Sequence, residues 1–318
     1  MTRMQRVLAA ILMMQVTLSV VLLWPRRGST ETGGPLIPGL AQPDVKLLAI
    51  SDGDGGRIEL KAAGGAWVLS GSDDYPANGA NVATALDRIA ALDTRRLITR
   101  TSSSHKRLQV SADDYVRRIE LQMSGGTRHV LYMGSSPSYG ATHVRLDGQD
   151  ATYLANDVTP WEYATSAASW IDTKFVTISE DELAAVLVDN ALGRVIFNRE
   201  ESGEWMLGDL AAGENQADET VKTAVARASS IVMQAPLGKT VLAEHGLDRP
   251  LAVITLQLKD GDPVTVLVGA QSASDRSYVV QASISPYLVR VSEYSVKTLV
   301  ENGRSAYLAP QVTPSPAP

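Results

Sequence analysis

The chain has 318 residues, 44% hydrophobic and 20% charged, with no cysteine and a formal net charge of −6. That much apolar material supports one large or two ordinary domains and excludes a wholly disordered chain. The 29 lysines and arginines are scattered, which excludes the basic footprint that holds a nucleic-acid backbone, and the lack of cysteine excludes disulfides, thiolate metal sites and cysteine nucleophiles.

Residues 1–6 form a short tail with Arg3 and Arg6, read as cytoplasmic. Residues 7–24, VLAAILMMQVTLSVVLLW, are uncharged. At about 1.5 Å rise per residue such a helix spans roughly 27 Å, close to the hydrocarbon thickness of a bilayer. Trp24-Pro25-Arg26-Arg27 is a poor cleavage context, so the run reads as an uncleaved anchor, with a cleaved signal as the alternative. The expected orientation is N-terminus inside and bulk outside the cytoplasm, which places the protein in a bacterial cytoplasmic membrane as a single-pass, signal-anchored periplasmic or extracytoplasmic protein. Residues 25–43 are rich in Gly, Pro, Ser and Thr and read as a spacer, while residues 309–318 read as a disordered tail.

Between these ends the chain repeats itself. Trp67 and Trp205 lie 138 positions apart, and residues 119–123 and 131–134 recur at 254–258 and 266–269 with a common offset of 135. The expected units are a first α+β repeat over residues 44–173 and a second over 174–308. In the first, strands are predicted at 45–50, 57–61 and 66–69, separated by the turn-forming 52–56 and 63–65. Val82, Leu86, Ile89 and Leu92 then recur at helical spacing. In the second repeat Ser179 and Glu182 have the form of a capping box, giving a short helical turn before a strand at 184–188, and residues 189–193 make a hairpin into 194–198. Val221, Val225, Ala228 and Ile231 predict the counterpart helix. Asp260 and Gly261 join two alternating apolar runs as a hairpin. Residues 159–171 and 292–306 are expected to close the two repeats with short helices. The fold class is therefore α+β: a tandem duplication of a mostly antiparallel sheet plus helix domain, behind one N-terminal transmembrane helix.

Trp205, the Ala217-Asp218 helix start, Gly246-Leu247-Asp248-Arg249-Pro250, the strand ending at Gly269, Tyr278-Val279 and Arg304 resemble the bacterial DUF4340 family. The resemblance covers residues 175–308 well and the first repeat more loosely. There residues 107–112 replace the turn motif, and Asn81 stands where Asp218 does. The resemblance implies membrane-anchored extracytoplasmic proteins, often encoded beside ABC-transporter components, with no assigned reaction. Trp205, Asp218, Gly246, Leu247, Pro250, Gly269 and Arg304 are accordingly family-motif residues of structural character. Gly246 suits a left-handed helix end, and Pro250 suits a strand start that needs no ladder donor.

Chemistry is sparse. His105, His129, His143 and His245 show no metal-ligand spacing. Residues 134–140, GSSPSYG, depart from the nucleophile elbow, and His143 near Ser135 and Ser136 is the one pair to check for hydrolysis. Residues 52–56 miss the acidic positions of a calcium loop and read as a hairpin turn. Asp73-Asp74, Asp113-Asp114 and Glu200-Glu201 read as solvated pairs. No catalytic, cofactor or metal residue is assigned. The expected function is a non-enzymatic accessory or scaffold protein that binds the membrane through its N-terminal helix and protein partners of an ABC-type transporter or surface-assembly complex. The alternative is a module binding a lipid, glycan or peptide in the groove between the repeats.

Overall fold

The structure is a computed structural model and describes Gln15 and residues 33–310. The apolar run at 7–24 lies outside the described residues apart from Gln15. No helix among them is long and apolar enough to cross a membrane.

In the first half the chain runs through β1 (Val45–Asp52), β2 (Arg57–Ala63), β3 (Ala66–Leu69), β4 (Tyr75–Pro76), α1 (Gly79–Ala90), β5 (Leu97–Thr99), β6 (Arg117–Met123), β7 (Arg128–Met133), β8 (Ala141–Leu146) and β9 (Thr152–Asn156). These strands form one sheet in the order β4-β3-β2-β1-β6-β7-β8-β9-β5. The second half runs through β10 (Lys174–Thr177), β11 (Leu183–Asn190), β12 (Gly193–Arg199), β13 (Trp205–Leu207), α2 (Asp218–Ser229), β14 (Ser230–Gly238), β15 (Ala252–Leu258), β16 (Val264–Gln271), β17 (Tyr278–Ala282), β18 (Leu288–Val291) and α3 (Glu293–Glu301). Its sheet has the order β10-β14-β18-β17-β16-β15-β11-β12-β13. The two orders coincide strand for strand once β4 and β10 are set aside as additions at opposite edges. Registers coincide too: Leu48 faces Leu121 as Val186 faces Leu256, and Ile119 faces Leu131 as Ile254 faces Val266.

The helices obey their apolar faces. Val82, Leu86 and Ile89 of α1 are fully buried, and Asn78 caps the helix by accepting from the amides of Ala80 and Asn81. Asp218 and Glu219 occupy the first turn of α2, where the helix dipole favours carboxylates. Three expectations are corrected here. Ile231 continues the helical spacing of α2 but belongs to β14, because Ser230 is already extended and pairs with Thr177. The closing helix forms only in the second half; residues 159–171 make two 3-10 turns, Pro160–Glu162 and Ala167–Ser169. Residues 35–40 also depart from a free spacer: Pro35 bridges Asp93, and Leu36 and Ile37 are 3% and 2% exposed. Flanking Gly and Pro hid these two core residues from a reading by composition.

Most buried apolar residues of both halves form one continuous cluster, which includes Trp170, Ile171, Phe175 and Val176 where the halves meet in sequence. Outside it, each connection into β6 or β15 covers part of the sheet's outer face. Leu108 and Val110 pack on Val130 and Tyr132 in the first half, and Leu247 packs on Val279 and Leu288 in the second.

Candidate functional site

Two concavities stand out. The larger, of about 630 Å³, opens where α1 ends and β9 leaves its sheet. Arg88, in the last turn of α1, pairs with Glu162. Beyond the helix, Arg95 Nε donates to Asp93 Oδ2 at 2.7 Å, and this contact holds the Asp93 carboxyl below its ordinary range. Arg96 donates to the neutral amide oxygen of Asn156 at 2.7 Å and makes no ion pair among the described residues. Leu92 and Val158 supply an apolar floor.

The second concavity is a cleft of about 490 Å³ between the halves. Arg57, Glu59, Ser70, Ser72 and Thr165 line it from one half, and Ala235 and Pro236 from the other. Beside it Asp73 and Asp74, read from sequence as solvated, form a latch. Asp73 Oδ2 accepts from Lys239 N at 2.7 Å, Tyr287 OH donates to Asp74 O at 3.1 Å, and Tyr75 meets Tyr287 edge to face at 4.7 Å. Both aspartates adopt positive φ, and Gly238 has no room for a Cβ against Asp73. The cleft is open to solvent with a mixed lining, so it lacks the enclosed apolar character that a lipid tail requires.

The outer faces of the two sheets differ at matching positions. Ala49, Glu59 and Glu120 stand in register on the first sheet, where the second carries Leu187, Ile196 and Thr255. Burial alone would raise the Glu120 carboxyl, but hydrogen bonds from Arg118 and Arg128 outweigh it and hold it low. The second sheet has a half-buried apolar stripe instead.

The motif residues are structural where they can be followed. Trp205 is 3% exposed and donates from Nε1 to Glu180 Oε2 at 3.0 Å. Asp218 accepts from Gln216 at the start of α2. Gly246 ends the 3-10 turn Ala243–His245 at φ +64, Pro250 precedes β15 by two residues, and Leu247 anchors the outer-face cluster. Gly269 lies against the carbonyl oxygen of His245. Arg304 pairs with Asp209 at 2.9 Å and with Glu214, whose pKa it lowers to about 2. Residues 107–112 replace the 246–250 motif in the first half, yet the backbone there takes a similar path. Gln109 takes φ +56 in the first half, and Gly134 lies against Leu108 O as Gly269 does against His245 O. The turn geometry recurs although its residues do not.

Ser135 and His143 do come together. His143 Nδ1 lies 3.1 Å from the Ser135 hydroxyl but 2.8 Å from the Ser135 carbonyl oxygen. A carbonyl only accepts, so Nδ1 carries the proton and cannot take one from the hydroxyl. The pair ties a loop. Asp52 accepts from the Thr165 hydroxyl at 2.6 Å and from Gly56 N at 2.7 Å, which closes its turn, and the Thr165 bond leads the lowering of its pKa. Among the described residues no three of His, Asp and Glu are placed to hold a metal ion jointly.

The architecture is thus a β-rich, antiparallel two-sheet body carrying three α-helices among the described residues. Residues 67–240 match the family described as a domain of unknown function, DUF4340, and the chain belongs to that family. The match begins at Trp67 in β3 and ends just after β14, so it straddles the junction instead of lying in the second half alone. Trp205 and Asp218 fall inside it; Gly246, Leu247, Pro250, Gly269 and Arg304 fall beyond it. No curated protein and no solved structure matches the chain.

Proposed function

We propose that this chain is a membrane-anchored extracytoplasmic accessory or scaffold protein whose partners belong to an ABC-type transporter or surface-assembly complex. The observation that carries the reading is the uncharged run at 7–24, followed after a short spacer by a body that packs from Leu36 and Ile37 onward. The transporter partner rests on what the family resemblance implies. We further read the two sheets as tandem copies of one unit, on the strength of their shared strand order and register. A glycan or peptide in the junction cleft is the second reading, favoured by its mixed lining.

The chain has no cysteine, so one introduced thiol reports topology cleanly. Ser70 is half-buried and bonded to Glu59, which makes it a poor site. Gly125, exposed in the β6–β7 turn with open space at its Cβ, is a good one. Gly125→Cys should react with a membrane-impermeant maleimide in intact cells or spheroplasts; labelling only after lysis overturns the topology. Crosslinking in intact membranes should capture a transporter component, and recovery as a free species at native expression counts against that partner.

A further inference from the structure

We propose that the arginine-lined cavity at the end of α1 binds a phosphate ester, and that its source is the headgroup of an anionic bilayer lipid. The lipid source rests on the membrane-anchor reading above; the phosphate chemistry rests on the cavity alone.

The cavity's volume of about 630 Å³ lies within the range of small-ligand sites and exceeds what a phosphoglycerol headgroup needs. Its chemistry is divided by position. Arg88 and Arg95 are each paired with a carboxylate, Glu162 and Asp93, so their charges are already countered. Arg96 rests on a neutral amide, so its charge is available to an anion, and its planar fork suits phosphate oxygens. The apolar floor of Leu92 and Val158 suits a glycerol backbone. The carboxylates of Asp93 and Asp157 also line the cavity, so an incoming phosphate meets both signs of charge there, with Arg96 as the cation not paired to a carboxylate among the described residues.

Position points to the bilayer. Gly33 packs directly against Arg95, Thr94 N donates to Gly34 O at 3.0 Å, and Leu36 N donates to Leu92 O at 2.7 Å. The chain therefore reaches the body along the rim of this cavity. Nine residue steps separate Trp24 from Gly33, and a chain spans at most about 3.5 Å per residue, so the rim lies within about 30 Å of the end of the apolar run. Trp161, next to Glu162, is 74% exposed, and Ile98, two residues after Arg96, is 44% exposed. Exposed tryptophan is enriched at membrane interfaces, and the Trp161 ring here lies 5.5 Å from the Arg117 guanidinium. With a net charge of −6 the whole molecule is not drawn to an anionic surface, so a preference for anionic headgroups would be local to a site of this kind.

The test uses the full chain in neutral detergent. Native mass spectrometry compares retention of phosphatidylglycerol with phosphatidylcholine, and hydrogen exchange of residues 88–96 and 154–158 is followed with sn-glycerol 3-phosphate. Wild type should retain phosphatidylglycerol about tenfold better, and Arg96→Gln should remove about that factor, as expected for a lost charge-assisted contact. Arg249→Gln, remote from the cavity, should leave retention unchanged. Protection by glycerol phosphate as well as by lipid supports the phosphate chemistry with a free ester sufficient, whereas protection by lipid alone assigns the source to the bilayer. Equal retention of the two lipids together with no protection by glycerol phosphate overturns the proposal, as does retention indifferent to Arg96→Gln. Should Arg96→Gln fail to fold, the wild-type exchange arm decides without it. Alkaline carbonate extraction separates the two readings: release of the chain from membranes defeats the anchor, while the glycerol phosphate arm still judges the cavity.

Discussion

At Gly134 an added Cβ would meet the carbonyl oxygens of Leu108 and Gln109, and at Gly269 it would meet His245 O and the Leu247 side chain. Backbone oxygens cannot step aside as a flexible side chain can. Gly134→Ala and Gly269→Ala should each destabilise by about 1–3 kcal/mol or more in denaturant unfolding, with Gly125→Ala within about 0.5 kcal/mol of wild type as the control. The Glu214–Arg304 pair gives a prediction in pH. The Arg304 hydrogen bonds lower the Glu214 pKa to about 2, so its stabilisation is fully present above the ordinary carboxyl range and is lost as pH falls toward 2. The difference in Tm between wild type and Glu214→Gln should therefore shrink progressively below about pH 4.5. A gap that stays constant down to pH 2 would show that the pair has no such role. Both glycines and Arg304 are visible as residues in the sequence; the atoms that constrain them come from segments as much as 90 positions away.

Among the elements, strands and their turns were the most legible. The predicted strands at 45–50, 57–61 and 66–69 appear as β1, β2 and β3, and the Asp260-Gly261 hairpin forms with Gly261 at φ +100. Alternation of apolar residues fixes which side of a strand is buried, and Gly at a positive φ fixes the turn. Helix ends were less legible, because Ile231 satisfies both the helical period of α2 and the alternation of β14. The Asp73-Asp74 turn was missed altogether. Its charges resemble a solvated pair until β14 is brought beside it. Asp73→Ala should cost about 1 kcal/mol by removing the acceptor of Lys239 N, and it should raise hydrogen exchange of residues 236–240 ahead of the rest of the molecule. Unchanged exchange there would remove the latch.

The molecule as a whole has one apolar core shared by two similar sheets, which sets its cooperativity. Hydrogen exchange in rising denaturant should merge the amides of Leu48 in β1 and Leu256 in β15 into one global opening, whereas separate openings would mean that the halves fold independently. The sequence by itself determined the strands, the apolar faces of α1 and α2 and the family resemblance. These depend on local period and on offsets along one chain. The tertiary structure alone decided that the halves share a core, that Asp73 joins them, that Gln109 repeats the turn of Gly246, and that Arg88, Arg95 and Arg96 surround one cavity. Those features require groups far apart in the chain to meet, and neither hydrophobic period nor residue type encodes which distant segment a side chain will face.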